Sequence, residues 1–274
     1  MRAIRRLLKN HPGLLPCSPD STARRQRRKR YEHIIEDDYD KLEDVAREYR
    51  GWVRKMPGWR LEAGEKVFLF GERIAEEYAL NMQEVRRLFG EVLPKWMRGA
   101  LIGFFISGAY HAIIGEGDLL VLDLSLYPGT LSGLGYRHPR GALTILGDRA
   151  YYLGVNMRGG EILFRGHPGN HVGTSMQGGK ITIEGNARNW IGHDMCGGLI
   201  RVKGNVGHII GKRMLGGEII IEGDVGWWVA DGMKKGVIRI YGACGSSEDK
   251  EGGQIFLWRG GEWKEVAPGE RHYC

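Results

Sequence analysis

The residues best equipped for chemistry are His138, His167, His171, His193 and His208, all in or near glycine-rich turns, and four widely spaced cysteines, Cys17, Cys196, Cys244 and Cys274. A metal site needs three or four converging donors and a shell of hydrogen bonds that orients them. His167 and His171 lie four apart, but across a turn and with no Cys or Asp at a ligand spacing, so no metal site is read. The cysteines fit no zinc or iron–sulfur pattern and read as free thiols, with Cys196 and Cys244 in place of small turn residues. Ser175, His193 and Asp194 are the residue types of a nucleophile, a base and an orienting carboxylate, but no nucleophile-elbow motif surrounds Ser175. No catalytic or cofactor-binding set is therefore read, and no cofactor is expected.

Two groups suit contact rather than catalysis. The block Arg24, Arg25, Arg27, Arg28, Lys29 and Arg30 suits nucleic-acid phosphate or an acidic partner surface. Trp190, Trp227 and Trp228 fall in long turn segments, where they either anchor a partner or fill a wide corner of the fold.

The elements that position these residues follow a period of 19. Met157, Met176, Met195, Met214 and Met233 recur at that step, as do Gly166, Gly185, Gly204, Gly223 and Gly242, which close short apolar strands. In Glu161-Ile162-Leu163-Phe164-Arg165 and its counterparts the second and fourth positions are always bulky and apolar. Alternation places both rows on one strand face. Five residues cannot bury that face alone, so identical units must stack as a parallel β-helix, about 4.8 Å per coil. The step of the methionines argues for a stack inside the coil. Outward, Arg165, Glu184, Lys203 and Glu222 alternate in sign and are expected to pair between adjacent coils.

The formal charge of +7 is uneven: residues 1–30 hold ten Lys or Arg against Asp20, a local +9, which leaves −2 on the other 244 residues. No apolar run suits a bilayer crossing and the start lacks the pattern of a secretory signal, so a cytoplasmic protein is expected.

In order, residues 1–30 read as a basic, flexible arm and 31–95 as a mainly helical cap. Helices are expected over His33–Arg50, Glu72–Tyr78 and Met82–Leu93, and a short strand over Lys66–Phe70. Residues 96–245 read as the β-helix: two irregular coils, the first with alternating Leu101, Gly103, Phe105 and Ser107, then six regular ones. Ser246 to Glu251 reads as a polar loop that breaks the repeat, and 246–274 as a final strand and cap.

Gly154-x-x-Met157-x-Gly159-Gly160, Gly173-x-x-Met176-x-Gly178-Gly179, Gly192-x-x-Met195-x-Gly197-Gly198 and Gly211-x-x-Met214-x-Gly216-Gly217 resemble the glycine-rich domain family shared by one subunit of formylmethanofuran dehydrogenase and the carboxyl end of the glutamate synthase large subunit. The resemblance covers roughly 129–245; it departs at Ala230 and Lys235, and residues 1–95 lie outside it. It implies an all-β, right-handed parallel β-helix with no catalytic group of its own, whose neighbours carry the redox or hydrolase sites. The expected role is thus a noncatalytic scaffold bound to a catalytic subunit of a redox, formyl-transfer or amide-nitrogen-transfer complex, or a homo-oligomer. Two alternatives stay open: nucleic-acid binding through the basic arm, and a stand-alone enzyme with a site between helical region and coil.

Overall fold

The computed structural model of the chain describes residues 41–55, 61–93, 101–127, 129–247 and 250–266. Nine strands form one sheet in the order β1 (Leu119–Asp123), β3 (Ala142–Leu146), β5 (Glu161–Arg165), β6 (Lys180–Ile183), β7 (Leu199–Val202), β8 (Leu215–Ile221), β9 (Lys235–Ile240), β10 (Gln254–Arg259) and β11 (Glu262–Glu265). All neighbours are parallel except β10 and β11, an antiparallel hairpin at the carboxyl end. From β3 to β8 each residue pairs with the one 19 further on, Ile162 with Ile181 and Ile181 with Ile200. Shorter pairings make the other sides: β2 (Leu131–Ser132) with β4 (Ala150–Tyr151), and single parallel bridges through Ala187, Val206, Val225 and Cys244 and through Ile191, Ile210, Val229 and Ser247. The chain winds as a right-handed parallel β-solenoid with an N-terminal helical region.

Inside, the coil is lined by buried apolar side chains. Ile181, Ile200, Ile219 and Ile238 are fully buried, and so are Met157, Met176, Met195, Met214 and Met233. Each methionine reaches into the next coil. A Cβ at Gly179, Gly198, Gly217, Gly236 or Gly253 would meet the Cε of the methionine one coil earlier at 2.5–2.7 Å. The Gly-Gly pair therefore clears space for a methyl group, and the thioether fills it.

The repeat is imperfect where the sequence departs from it. The pairing of β8 with β9 slips by one residue between Leu215 and Glu218, opposite Lys235, which stands where other coils have glycine. The step from β1 to β3 is 23 residues, with a 3-10 turn at Leu124–Leu126, and that from β9 to β10 is 17.

Before the coil come α1 (41–53), α2 (Leu61–Glu77), α3 (Met82–Arg87), which continues as a π turn at Leu88–Val92, and α4 (Ile102–His111). Every residue of α4 from Ile102 to Tyr110 is buried. It lies against α2 with backbone nearly touching backbone: a Cβ on Gly108 would strike the Phe68 carbonyl, and one on Gly71 the Phe105 carbonyl. Ser107 ties α4 to the first coil, its Oγ donating to the Gly133 carbonyl at 2.8 Å and accepting from the Gly135 N–H at 2.9 Å. Phe104 and Phe68 both meet the Tyr136 ring edge-on. The helices thus seal the amino-terminal end of the stack, which would otherwise be an open sheet edge.

Four expectations change. Leu101 caps a helix that contains Gly103, Phe105 and Ser107, in place of the expected strand, because a segment enclosed on all sides is apolar all round and its alternation carries no period. The sheet accordingly starts at Leu119, not near residue 96. Lys66–Phe70 lies inside α2. Ser246 and Ser247 do not leave the coil: both are buried, and Ser247 bridges Val229.

Candidate functional site

Turn side chains are spent mostly on the next coil. Asp148 Oδ1 accepts from the His167 N–H at 2.6 Å, His167 Nδ1 from the Asn186 N–H at 3.0 Å, Asn186 Oδ1 from Asn205 at 2.9 Å and Asn205 Oδ1 from Asp224 at 2.8 Å. A parallel row runs from Asn170 through Asn189 and His208 to the Trp227 N–H. Turn amides that the strand ladder leaves unpaired are satisfied this way. It also fixes the tautomer of His167 and His208: with Nδ1 accepting, the neutral ring carries its proton on Nε2.

The histidines do not converge. Among the described residues no group of three His, Cys, Asp or Glu side chains is placed to hold a metal ion. His138 occupies the position 19 before Met157, fully buried at the head of the methionine row, with Nδ1 unpartnered and Nε2 3.3 Å from the Gly141 carbonyl. Burial holds its pKa down at about 4.

Ser175, His193 and Asp194 are neighbours without the geometry of a triad. His193 Nδ1 is 3.3 Å from Asp194 Oδ2, but Nε2, which would have to face the serine, lies 3.1 Å from Arg213 Nη2. Arg213 also grips both carboxylate oxygens of Asp194, each at 2.8 Å. Burial, then the nearby Arg213 and Lys212, keep the His193 pKa below its ordinary value although Asp194 acts to raise it. A ring whose free lone pair meets a guanidinium is a poor general base. Cys196 is exposed, its Sγ 3.5 Å from the Asp194 carbonyl, while Cys244 is buried in an inward row.

The tryptophans belong to a corner where bulky residues adopt the left-handed backbone. Tyr152, His171, Trp190, Ile209 and Trp228 have φ between 55° and 64° and follow one another at the 19-residue step. Tyr152 stacks on His171 at 4.7 Å with the ring planes nearly parallel, and His171 on Trp190 at 5.5 Å. Those three rings are half-buried, their faces used by each other. Trp227 and Trp228 differ, at 59% and 50% exposed. Tyr241, Trp258 and Trp263 form a further aromatic group at the carboxyl end, with centroids 4.7–5.9 Å apart.

Sequence reasoning passed over a cleft of about 300 Å³ beside the turns of β3, β5 and β6, whose walls include Asp148, Arg149, Tyr151, His167, Asn186 and Arg188. Its only signal is a break in a row: the residue two after each strand-closing glycine is buried at Pro168, Ala187, Val206, Val225 and Cys244, but after Gly147 it is the exposed Arg149.

The block Arg24 to Arg30 lies outside the described residues, as do Cys17 and Cys274. No helix among the described residues is long and apolar enough to cross a membrane.

Fold and corner geometry together define a capped right-handed β-solenoid whose polar turns serve mainly to hold the coils to one another. No model of a known protein family matches the chain, nor does any curated protein.

Proposed function

We propose that this chain is a noncatalytic scaffold, a rigid coil that holds a protein partner along its aromatic corner. The observation that carries the reading is the exposure of Trp227 and Trp228 side by side on a backbone tied down at the Trp227 N–H by His208 and at the Trp228 N–H by Ser246. Large aromatics on a backbone held in place have fewer degrees of freedom to lose on binding and anchor interfaces well. The reading is further supported by His193 and Asp194, whose side-chain polar atoms are held by Arg213 rather than turned toward Ser175. The glycine–methionine pattern adds the finer proposal that the chain belongs with the formylmethanofuran dehydrogenase and glutamate synthase domains it resembles, and that its partner is the catalytic subunit of a redox, formyl-transfer or amide-nitrogen-transfer complex.

The test is native mass spectrometry at physiological ionic strength on the wild type and on Trp227→Ala/Trp228→Ala. A second polypeptide, or a symmetric oligomer, is expected in the wild type, with affinity reduced about thirtyfold or more in the variant, the effect of truncating an interface anchor worth about 2 kcal/mol. A monomer in both, or an assembly the variant leaves intact, overturns the reading. Circular dichroism melts of the variant separate lost contact from lost fold.

A further inference from the structure

We propose that the cleft walled by Arg149, Arg188, His167, Tyr151 and Asp148 is a binding site for a small phosphorylated polyol, a phosphate monoester carrying free hydroxyl groups. Four observations lead there, none of which depends on the tryptophan corner.

The first is charge left unspent. Three arginines on the strand face are paired with carboxylates on a neighbouring coil: Arg165 with Glu184 at 3.0 Å, Arg201 with Glu222 at 2.6 Å, and Arg239 with Glu218. Arg149 and Arg188, which share the cleft, have no carboxylate partner among the described residues. Two unpaired guanidinium groups facing one concavity are suited to a phosphate, whose oxygens match their planar forks.

The second is how Arg149 comes to point outward. In five other coils the equivalent residue, from Pro168 to Cys244, is buried. After Gly147 the chain instead takes φ 65° at Arg149, and Ala150 fills the inward place with no exposed surface. This left-handed arginine lies off both rows where such a backbone recurs at the coil period, that of Tyr152 to Trp228 and that of Arg137, Asn156, Ser175, Asp194 and Arg213. A one-residue irregularity that turns a side chain out of a β-structure is a recurrent way to aim a functional group, and strain of this kind clusters at ligand sites.

The third is the direction of the neighbouring donors and acceptor. His167 accepts the Asn186 N–H at Nδ1, so its proton is on Nε2 and the ring adds an N–H donor to the cleft. Asp148 uses Oδ1 on the His167 N–H, which leaves Oδ2 to accept a hydroxyl. With two guanidinium groups against one carboxylate the cleft is positive by one charge. A lone carboxylate there would repel a bare anion, but it suits a ligand that carries hydroxyls beside its phosphate.

The fourth is size. About 300 Å³ is at the lower end of small-molecule sites and several times what a phosphate group fills. The Tyr151 ring lies flat over Gly169, where a Cβ would meet it at 2.7–2.8 Å, and together with the buried Pro168 and Ala187 it provides an apolar wall for the carbon skeleton.

Isothermal titration calorimetry on the full chain at constant ionic strength decides it, with inorganic phosphate, glucose 6-phosphate and glucose as probes against the wild type, Arg149→Gln and Arg188→Gln. Both arginines are on the surface, and an unchanged thermal melt verifies each variant. Expected are saturable 1:1 binding of glucose 6-phosphate, at least tenfold tighter than inorganic phosphate, no binding of glucose, and at least tenfold weakening of glucose 6-phosphate in each variant. No saturable binding of either phosphate probe overturns the site. Binding that both variants retain also overturns it and transfers the anion to the basic block at residues 24–30. Equal affinity for inorganic phosphate and glucose 6-phosphate overturns the polyol part.

Discussion

His138 shows how one residue links the repeat to the cap. It takes the place of a methionine, and its edge approaches the Tyr110 ring of α4 at a centroid distance of 5.7 Å; Tyr110 Oη and His138 Nδ1 are both buried without a partner. Burial lowers the His138 pKa from 6.5 to about 4. The folded chain therefore stays neutral here while the unfolded chain takes up a proton below pH 6.5, so stability is full above that value and falls as the pH drops toward 4. The loss is on the order of 3 kcal/mol from this residue alone. His171 and His193 are shifted in the same direction by burial and add to the slope. His138→Met would extend the methionine row over Gly160 and remove both the titration and the orphaned nitrogen. Urea denaturation at pH 7 and pH 4.5 should find the variant at least as stable as the wild type at pH 7, and its acid loss smaller by about 2 kcal/mol. An unchanged acid loss would assign the sensitivity to other groups.

At the scale of the coil, the methionine methyl and the glycine facing it act as one unit. Gly198 has φ 88°, and a Cβ there would be 2.6 Å from Met176 Cε and 2.7 Å from the Gly179 carbonyl. Gly198→Ala should cost about 2 to 4 kcal/mol, part backbone strain and part displaced thioether. Met176→Ala leaves a cavity and should cost about 2 to 5 kcal/mol. In the double variant the alanine methyl enters the space the thioether vacates, so the combined loss should fall short of the sum by at least about 1 kcal/mol. Additive losses in chemical denaturation would mean that the methyl and the glycine are not in contact. This unit was legible in the sequence because both partners recur at 19 residues. The strand-face charges were legible only in part: Glu184 pairs with Arg165 and Lys203 as the alternation requires, but Glu222 is taken by Arg201, a diagonal neighbour with a better-placed fork. Such exposed pairs contribute little individually. Periodicity could not reveal α4, whose burial on all sides erases the amphipathic pattern, nor Arg149, whose outward turn depends on a single-residue shift.

Taken whole, the molecule is a stack in which each coil touches only its neighbours, closed at one end by helices and ending at the other in the β10–β11 hairpin. Stability in such an array is close to a sum of local terms, so damage to a cap should spread over the nearest coils and fade. Gly108→Ala tests this, because its Cβ would collide with the Phe68 carbonyl and force α2 and α4 apart, while Ser107 next to it ties α4 to Gly133 and Gly135. Gly90→Ala is the control, since a Cβ at Gly90 meets nothing within 4 Å. Hydrogen exchange of Gly108→Ala should show amides of β1, β3 and β5 exchanging at least thirtyfold faster, matching about 2 kcal/mol of lost local stability, with β7 to β9 nearly unchanged. Gly90→Ala should leave all of them protected. Uniform loss from β1 to β10 would instead make the solenoid one cooperative unit with its cap, and the helical region would then be part of the scaffold's fold rather than a seal on its end.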